Sequence, residues 1–556
     1  MTKLQTLSAA CIALAFSAMA YAQDDWKQVS FHGSIQSDIL IPQEDKAINT
    51  GTYDDWALTN TYADLSLYSK YLDAGARLEF TEYPLPGFEP EFKGWGVPNF
   101  YLKLKLPKSN IDLTLGDIYD QFGSGLIFRT YEERSLGIDN SIRGARLNMN
   151  AIKGVQLKAL GGVQRRFWDW STDSWLAGAD VEVNFDQYSQ SMRDKNMAWM
   201  VGASYVLLDY TEQSDIIVPG TNYKLNTPST VHAFDARTRF QSGNYNILAE
   251  YAWRSQDPSF DNGYIYRRGN AVLLSASYSA KGVSALIQAK RSDNMSFRSQ
   301  RSISSGTSGF INNMPAFAYQ HTYALPAIYP YATQAAKGEW AFQGEFGYSF
   351  RRGTALGGRY GTKLKLNISH IRALDKDPVA KINDSYMGTD GYKTSFFKMG
   401  EMYYQDINVQ LEKKFSSAFK LNLMYMNQRY NKTVIEGKGG MVKSNIFVAE
   451  GKLQFNNRLT LRGEVQYLST KQDQGDWTYG LLELSVQPYL MFTVSDMWNN
   501  GSTDNHYYMA SVTGTYKSHR LMVGYGCTRA GYNCSGGVCR FVPASKGLNI
   551  SYNFNF

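Results

Sequence analysis

From about residue 29 to the C-terminus the chain alternates apolar and polar residues with period two. In 458–469, Leu459, Leu461, Val465 and Tyr467 fall on one face and Thr460, Arg462, Glu464 and Gln466 on the other. Leu102, Leu104 and Leu106 oppose Lys103 and Lys105. Leu364, Leu366 and Ile368 oppose Lys363, Lys365 and Asn367, and Ile407, Val409 and Leu411 oppose Asn408, Gln410 and Glu412. Alternation of this kind predicts half-buried β-strands of about ten residues. A soluble sandwich also gives one apolar and one polar face. Three features favour a membrane barrel instead: long strands with fully charged polar faces, one unbroken pattern, and the last segment. There Leu548, Ile550, Tyr552, Phe554 and Phe556 alternate with Asn549, Ser551, Asn553 and Asn555. That is a closing strand with lipid on one side and lumen on the other. Tyr552, Phe554 and Phe556 resemble the terminal aromatic assembly signal of bacterial outer-membrane barrels.

Tight-turn signals sit at 72–75, 107–110, 152–154, 242–244, 280–282, 416–418, 456–458, 487–489 and 517–520, with looser ones near 187–196 and 351–359. Long polar segments lie between them, at 43–57, 85–98, 120–140, 210–228, 255–268, 296–337, 374–401 and 527–546. Short periplasmic turns alternating with long outer loops predict one all-β, antiparallel, up-and-down transmembrane β-barrel of about 24 strands, range 20–26. Both termini are then periplasmic. All 15 Pro residues are expected in loops, turns or strand ends, because interior ladders need the N–H.

Composition supports this picture. Of 556 residues, 19% are charged and 14% aromatic, with a net charge of +7, and mean hydropathy is −0.38. No later stretch has the roughly 18 apolar residues of a spanning helix. No single-sign charge run suggests a nucleic-acid partner. At the N-terminus, Lys3, an apolar run over about 4–19 and Ala20-Tyr21-Ala22 before Gln23 read as a signal peptide cleaved after Ala22. The expected domains are therefore residues 1–22, removed, and 23–556, the barrel. Ser8-Ala9-Ala10-Cys11 loosely resembles a lipobox, but its apolar run would be too short. Few residues separate Gln23 from the first strand, so no N-terminal plug domain is expected.

A barrel of roughly 16–18 strands already encloses an aqueous channel, so one of about 24 needs a filling. The internal candidates are 296–337, with Phe317, Tyr319 and Tyr329, and 120–140, with Phe128, Arg129, Glu132, Glu133 and Arg134. A loop meant only for water would not need Leu126, Ile127 and Phe128. Packing of these loops on the inner wall is the preferred reading over a ligand-specific role.

No catalytic, metal or cofactor signature stands out. The six His are dispersed, and in the one close pair, Ser369-His370, adjacent strand residues face opposite ways. Asp375 with Asp377, and Asp473 with Asp476, read as solvated loop carboxylates rather than calcium ligands. Outside the cytoplasm Cys527, Cys534 and Cys539 can be oxidised. The turn Ser535-Gly536-Gly537-Val538 brings Cys534 and Cys539 close enough to bridge, leaving Cys527 free; Cys527 with either of them is the alternative.

Two stretches, GDIYDQFGSGLIFRTYEERSLGIDN from Gly116 to Asn140 and CSGGVCRFVP from Cys534 to Pro543, resemble motifs of an uncharacterised family of large outer-membrane β-barrels from Bacteroidota. The resemblance covers the mature chain. It implies a location and the paired cysteines, with no activity and no catalytic residues. Two functions are expected from the whole: a channel or transporter narrowed or plugged by its own loops, or a non-catalytic barrel subunit of an outer-membrane assembly, secretion or surface-anchoring complex. Expected partners are outer-membrane lipid, the barrel assembly machinery and other outer-membrane or surface proteins. No cofactor is expected.

Overall fold

The computed structural model describes residues 29–170, 173–211, 215–302 and 308–556; the expected signal peptide lies outside them. Twenty-four antiparallel strands form one sheet, each paired with its sequence neighbours. A two-residue strand, Asp169–Trp170, only extends one hairpin. The sheet closes where the first strand, Ser30–Pro42, pairs with the last, Ser545–Asn555, from Ser34↔Asn555 to Pro42↔Gly547. Closure leaves no unpaired edge, which hydrocarbon demands.

The predicted alternation is clearest away from the long connections. In Leu459–Thr470, Val465 is exposed on the outside while Glu464 and Gln466 are buried within. Leu65, Ile287, Ile368, Phe447, Leu482 and Val494 continue the exposed apolar belt around the barrel. Asp235, Asn367, Asp406, Asn408 and Gln428 are buried on the inner face.

Eleven connections of 2–12 residues lie at one end, with the start of the first strand and the end of the last. The other end carries twelve connections of 6–45 residues. Three details differ from the sequence reading. The turn expected at 72–75 lies at 69–71, and Gly75 is inside strand Leu72–Thr81. A Cβ on Gly75 would stand 2.4 Å from the Tyr101 ring, so this glycine makes room for a cross-strand aromatic. The segment 85–98 is loop only to residue 93, and Pro98 lies within strand Gly94–Leu106. It sits where the register shifts between Arg77 and Glu79, a bulge that tolerates the missing N–H. The segment 374–401 is loop only over 379–391, because strands Thr362–Pro378 and Tyr392–Lys414 run on as a ribbon past their neighbours.

At the closing seam the Phe556 amide donates to the Gly33 carbonyl at 2.9 Å and the Gly33 amide donates back at 3.0 Å. The Phe556 ring lies over Gly33, 2.2 Å from where a Cβ would stand. Tyr552 Oη bonds His519 Nδ1 at 2.8 Å, and Phe554 stacks on His519. Gly33→Val is therefore expected to displace the ring and cost about 1–3 kcal/mol. The check is the fraction of unboiled protein that migrates as folded barrel on a denaturing gel; an unchanged fraction in Gly33→Val would show that the seam does not depend on this contact.

Candidate functional site

Two of these twelve connections, 119–141 and 294–338, pack against inward-facing side chains of the wall. Loop 119–141 contributes Phe122, Leu126, Ile127 and Phe128, and loop 294–338 contributes Ile311, Met314, Phe317, Leu325 and Tyr329. They share one buried cluster with strand residues such as Leu176, Val206, Ile371, Met426, Ile446 and Leu468. At this end of the barrel the inner face carries apolar residues beside buried, paired charges such as Arg77, Arg165 and Lys290. Burial of this much apolar surface is the main force holding the loops.

The loops also hold each other. Asn312 Nδ2 donates to the carbonyls of Leu126 at 2.7 Å and Met295 at 2.8 Å. The Arg129 amide donates to the Ile311 carbonyl at 2.8 Å, and its guanidinium lies over the Tyr131 ring. Phe128 is fully buried with its ring centroid 4.9 Å from that of Phe122.

Charged side chains seat loop 119–141. Its two-stranded ribbon, Glu132–Glu133 with Ile138–Asp139, meets the wall arginines. Arg77 reaches Glu132 at 2.8 Å and Asp64 at 2.7 Å. Arg165 bridges Glu79, at 2.9 Å, and Asp139. Arg134 points the other way, to Asp64 on the wall at 2.8 Å and to Glu132 at 2.8 Å. Burial pushes the Glu132 carboxyl up, against Arg77 and Arg134. Burial acts in the same sense on Asp139, but Arg165 and Arg77 outweigh it and its carboxyl is lowered. Glu133 faces outward to hydroxyls, those of Ser135 at 2.7 Å and Ser535 at 3.0 Å.

Loop 294–338 has its own anchors. Lys290 and Glu339, at the ends of the strands that flank it, pair at 2.8 Å with both side chains wholly buried. Glu339 also accepts from the Gln334 amide at 2.9 Å and from the Tyr331 hydroxyl. Phe317 packs 5.5 Å from Lys290 Nζ. The Tyr319 amide donates to Ser369 Oγ at 3.2 Å. Tyr329 donates to Asp473 at 3.0 Å; Asp473 also pairs with Lys432 at 2.6 Å, so it is not the simply solvated carboxylate expected. His321 Nε2 meets Asp406 at 2.6 Å. Neither His321 nor the Lys290–Glu339 pair was singled out from sequence, because each joins residues distant along the chain.

The terminal loop folds as a β-ribbon, Gly531–Ser535 with Val538–Val542, and lies across both inner loops. Cys534 and Cys539 are directly opposite and disulfide-bonded, and Cys527 is free and buried. The Thr333 amide donates to the Gly537 carbonyl at 2.9 Å, and Arg540 donates to the Ser135 carbonyl at 3.0 Å. Arg540 also lies over the Phe88 ring. Replacing Cys534 and Cys539 by Ser is expected to loosen this short loop by about 2 kcal/mol. Protease should then cut within 531–542 first, and alkylation of the folded, reduced wild-type protein should label these two thiols ahead of Cys527.

Among solved structures, the translocation pore of the P pilus usher PapC is similar at 10% identity, covering 95% of this chain and 98% of that one with a TM-score of 0.43. The ferric enterobactin receptor PfeA from Pseudomonas aeruginosa is similar at 11% identity, covering 95% and 80%, with a TM-score of 0.41. For OccD1 (OprD) the figures are 11% identity, 85% and 96% coverage and a TM-score of 0.35. No curated protein matches the sequence. A family profile matches residues 1–556 from end to end, and the chain thus belongs to the family it describes, a family of unknown function, DUF6029.

Proposed function

We propose that the protein is a non-catalytic outer-membrane channel whose lumen is narrowed by its own loops. The observation that carries the reading is the change of the inner wall along the barrel. Toward the long connections it carries apolar residues and mutually paired buried charges such as Lys290 with Glu339, and is covered by 119–141 and 294–338. Toward the short turns it bears polar and charged groups such as Lys365, Gln410, Asn422 and Arg462. Such a wall suits water below a removable filling. The short turns and both termini belong to the periplasm in this reading. The terminal strand with Tyr552, Phe554 and Phe556 is what the assembly machinery would engage, and the Gly116–Asn140 and Cys534–Pro543 motifs favour a Bacteroidota origin.

The test is conductance in a planar bilayer, with and without residues 296–337. The intact protein is expected to give small or no steps. The deletion is expected to give steps larger than those of a barrel of roughly 16–18 strands. Equal conductance in the two would remove 294–338 as the constriction.

A second reading, an assembly subunit, is favoured by one feature. The projecting ribbon exposes Phe396, Phe397 and Met399 beyond the neighbouring strands. Co-purification of a partner that Phe397→Ser releases would support it.

A further inference from the structure

A cavity of about 430 Å³ lies between loop 294–338, the wall and the disulfide-closed ribbon. Tyr319, His321, Tyr331, Tyr404, Arg529 and Tyr532 line it. Gln320, Ala327 and Asn533 on its boundary are exposed, so it is open on one side. Its size is that of a small-molecule pocket, roughly 300–1,000 Å³.

Arg529 distinguishes this cavity. Arg77, Arg165, Arg254, Arg298 and Arg301, which seat the inner loops, meet carboxylates. Arg529 donates only to carbonyls, those of Ala530 at 3.0 Å and Ile328 at 3.2 Å. The acidic groups nearest in field are otherwise engaged. Asp473 is held by Lys432 and Tyr329, and Glu436 accepts from Tyr430 Oη at 3.0 Å. Among the described residues no carboxylate pairs with Arg529. A guanidinium without a counter-ion, in a half-enclosed site, favours an anion, and its planar fork matches a carboxylate. Opposite it, Asp406 fixes His321, and Asn408 Nδ2 in turn donates to Asp406 at 2.8 Å. The tyrosine rings offer flat apolar faces with polar tips, which suit a ring rather than a flexible chain.

We propose that this cavity binds a small ring-bearing carboxylate, with the charge on Arg529 and the ring among the tyrosines. The inference relies on the loop-narrowed channel for its consequence, a ligand acting at the constriction, but not for binding itself. Sugar acids and aromatic acids share the chemistry, so both are probes. Calorimetric titration of the intact protein in detergent would use D-glucuronate, benzoate and neutral D-glucose. One or both carboxylates are expected to bind and glucose is not; which carboxylate binds identifies the source. Arg529→Gln is expected to weaken binding about tenfold or more, as loss of a charged hydrogen bond does. Tyr532→Ala, a second variant in the ribbon, is expected to weaken it without abolishing the preference for charge. Glucose binding as tightly as glucuronate, no heat from either carboxylate, or an unchanged affinity in Arg529→Gln would overturn the proposal. A silent bilayer recording of the protein lacking residues 296–337 would count against the channel reading alone.

Discussion

Lys290→Met is expected to release loop 294–338 from the wall at a cost of about 3–5 kcal/mol, the effect of stranding one charge of a buried pair. Glu339 would keep the Gln334 amide and the Tyr331 hydroxyl as donors but lose the one cation that pairs with it among the described residues. Its carboxylate cannot reach water without moving Tyr331, itself buried. The double variant Lys290→Met with Glu339→Gln should recover most of the loss, since the amide oxygen still accepts from both donors and no net charge remains. Hydrogen exchange across 308–337 is the measurement. A local opening equilibrium raised about 100-fold or more is expected for the single variant, and much less for the double. Equal exchange in wild type and Lys290→Met would mean that apolar burial alone holds the loop.

Much of the barrel was legible in the sequence because a strand states its own facing. Val465 and Tyr467 point out and Glu464 and Gln466 point in, as period two requires. The strand number and the closing segment followed from the same rule and from the alternation of short and long connections. What the rule misses is where two apolar faces meet. Leu468, Ile446 and Met426 are inward and buried, yet the adjoining Tyr467 and Phe447 point outward and are also apolar. Near the long connections the strand is apolar on both faces and period two loses its sign. Short connections at the long-loop end, 167–173, 432–440, 471–476 and 499–505, also escaped notice. Their Gly, Asn and Asp residues carry the same turn signal as the opposite end.

The two inner loops stand out in the sequence because they hold more apolar and aromatic residues than water-facing segments need. Phe128, Phe317 and Tyr329 lie buried among wall residues. Their charged companions were less legible. Glu132 and Arg134 are marked by the sequence as part of the loop, but their partners Arg77 and Asp64, from distant strands, are not. Sequence gives a charge; only the closed sheet gives its counter-ion. The pocket at Arg529 belongs to the same class of feature, since its walls come from residues 319–331, Tyr404 and the terminal ribbon.

The same reasoning makes Arg165 the residue on which loop 119–141 depends. Its guanidinium spans Glu79 on the wall and Asp139 on the loop, and its side chain is almost wholly buried. Arg165→Met is expected to leave two carboxylates facing each other with one cation, Arg77, between them at 3.4 Å from each. A loss of about 3–5 kcal/mol in docking of the loop follows, with cleavage appearing within 119–141. Arg165→Lys should fall between, because one ammonium cannot match two carboxylates as a planar fork does. Glu133→Ala, by contrast, removes bonds to the Ser135 amide and to the hydroxyls of Ser135 and Ser535 at the ribbon's outer side, with no ion pair lost, and is expected to cost about 1 kcal/mol. If Glu133→Ala loosened the loop as much as Arg165→Met, the hold on 119–141 would lie with the disulfide-closed ribbon above it rather than with the buried ions beneath.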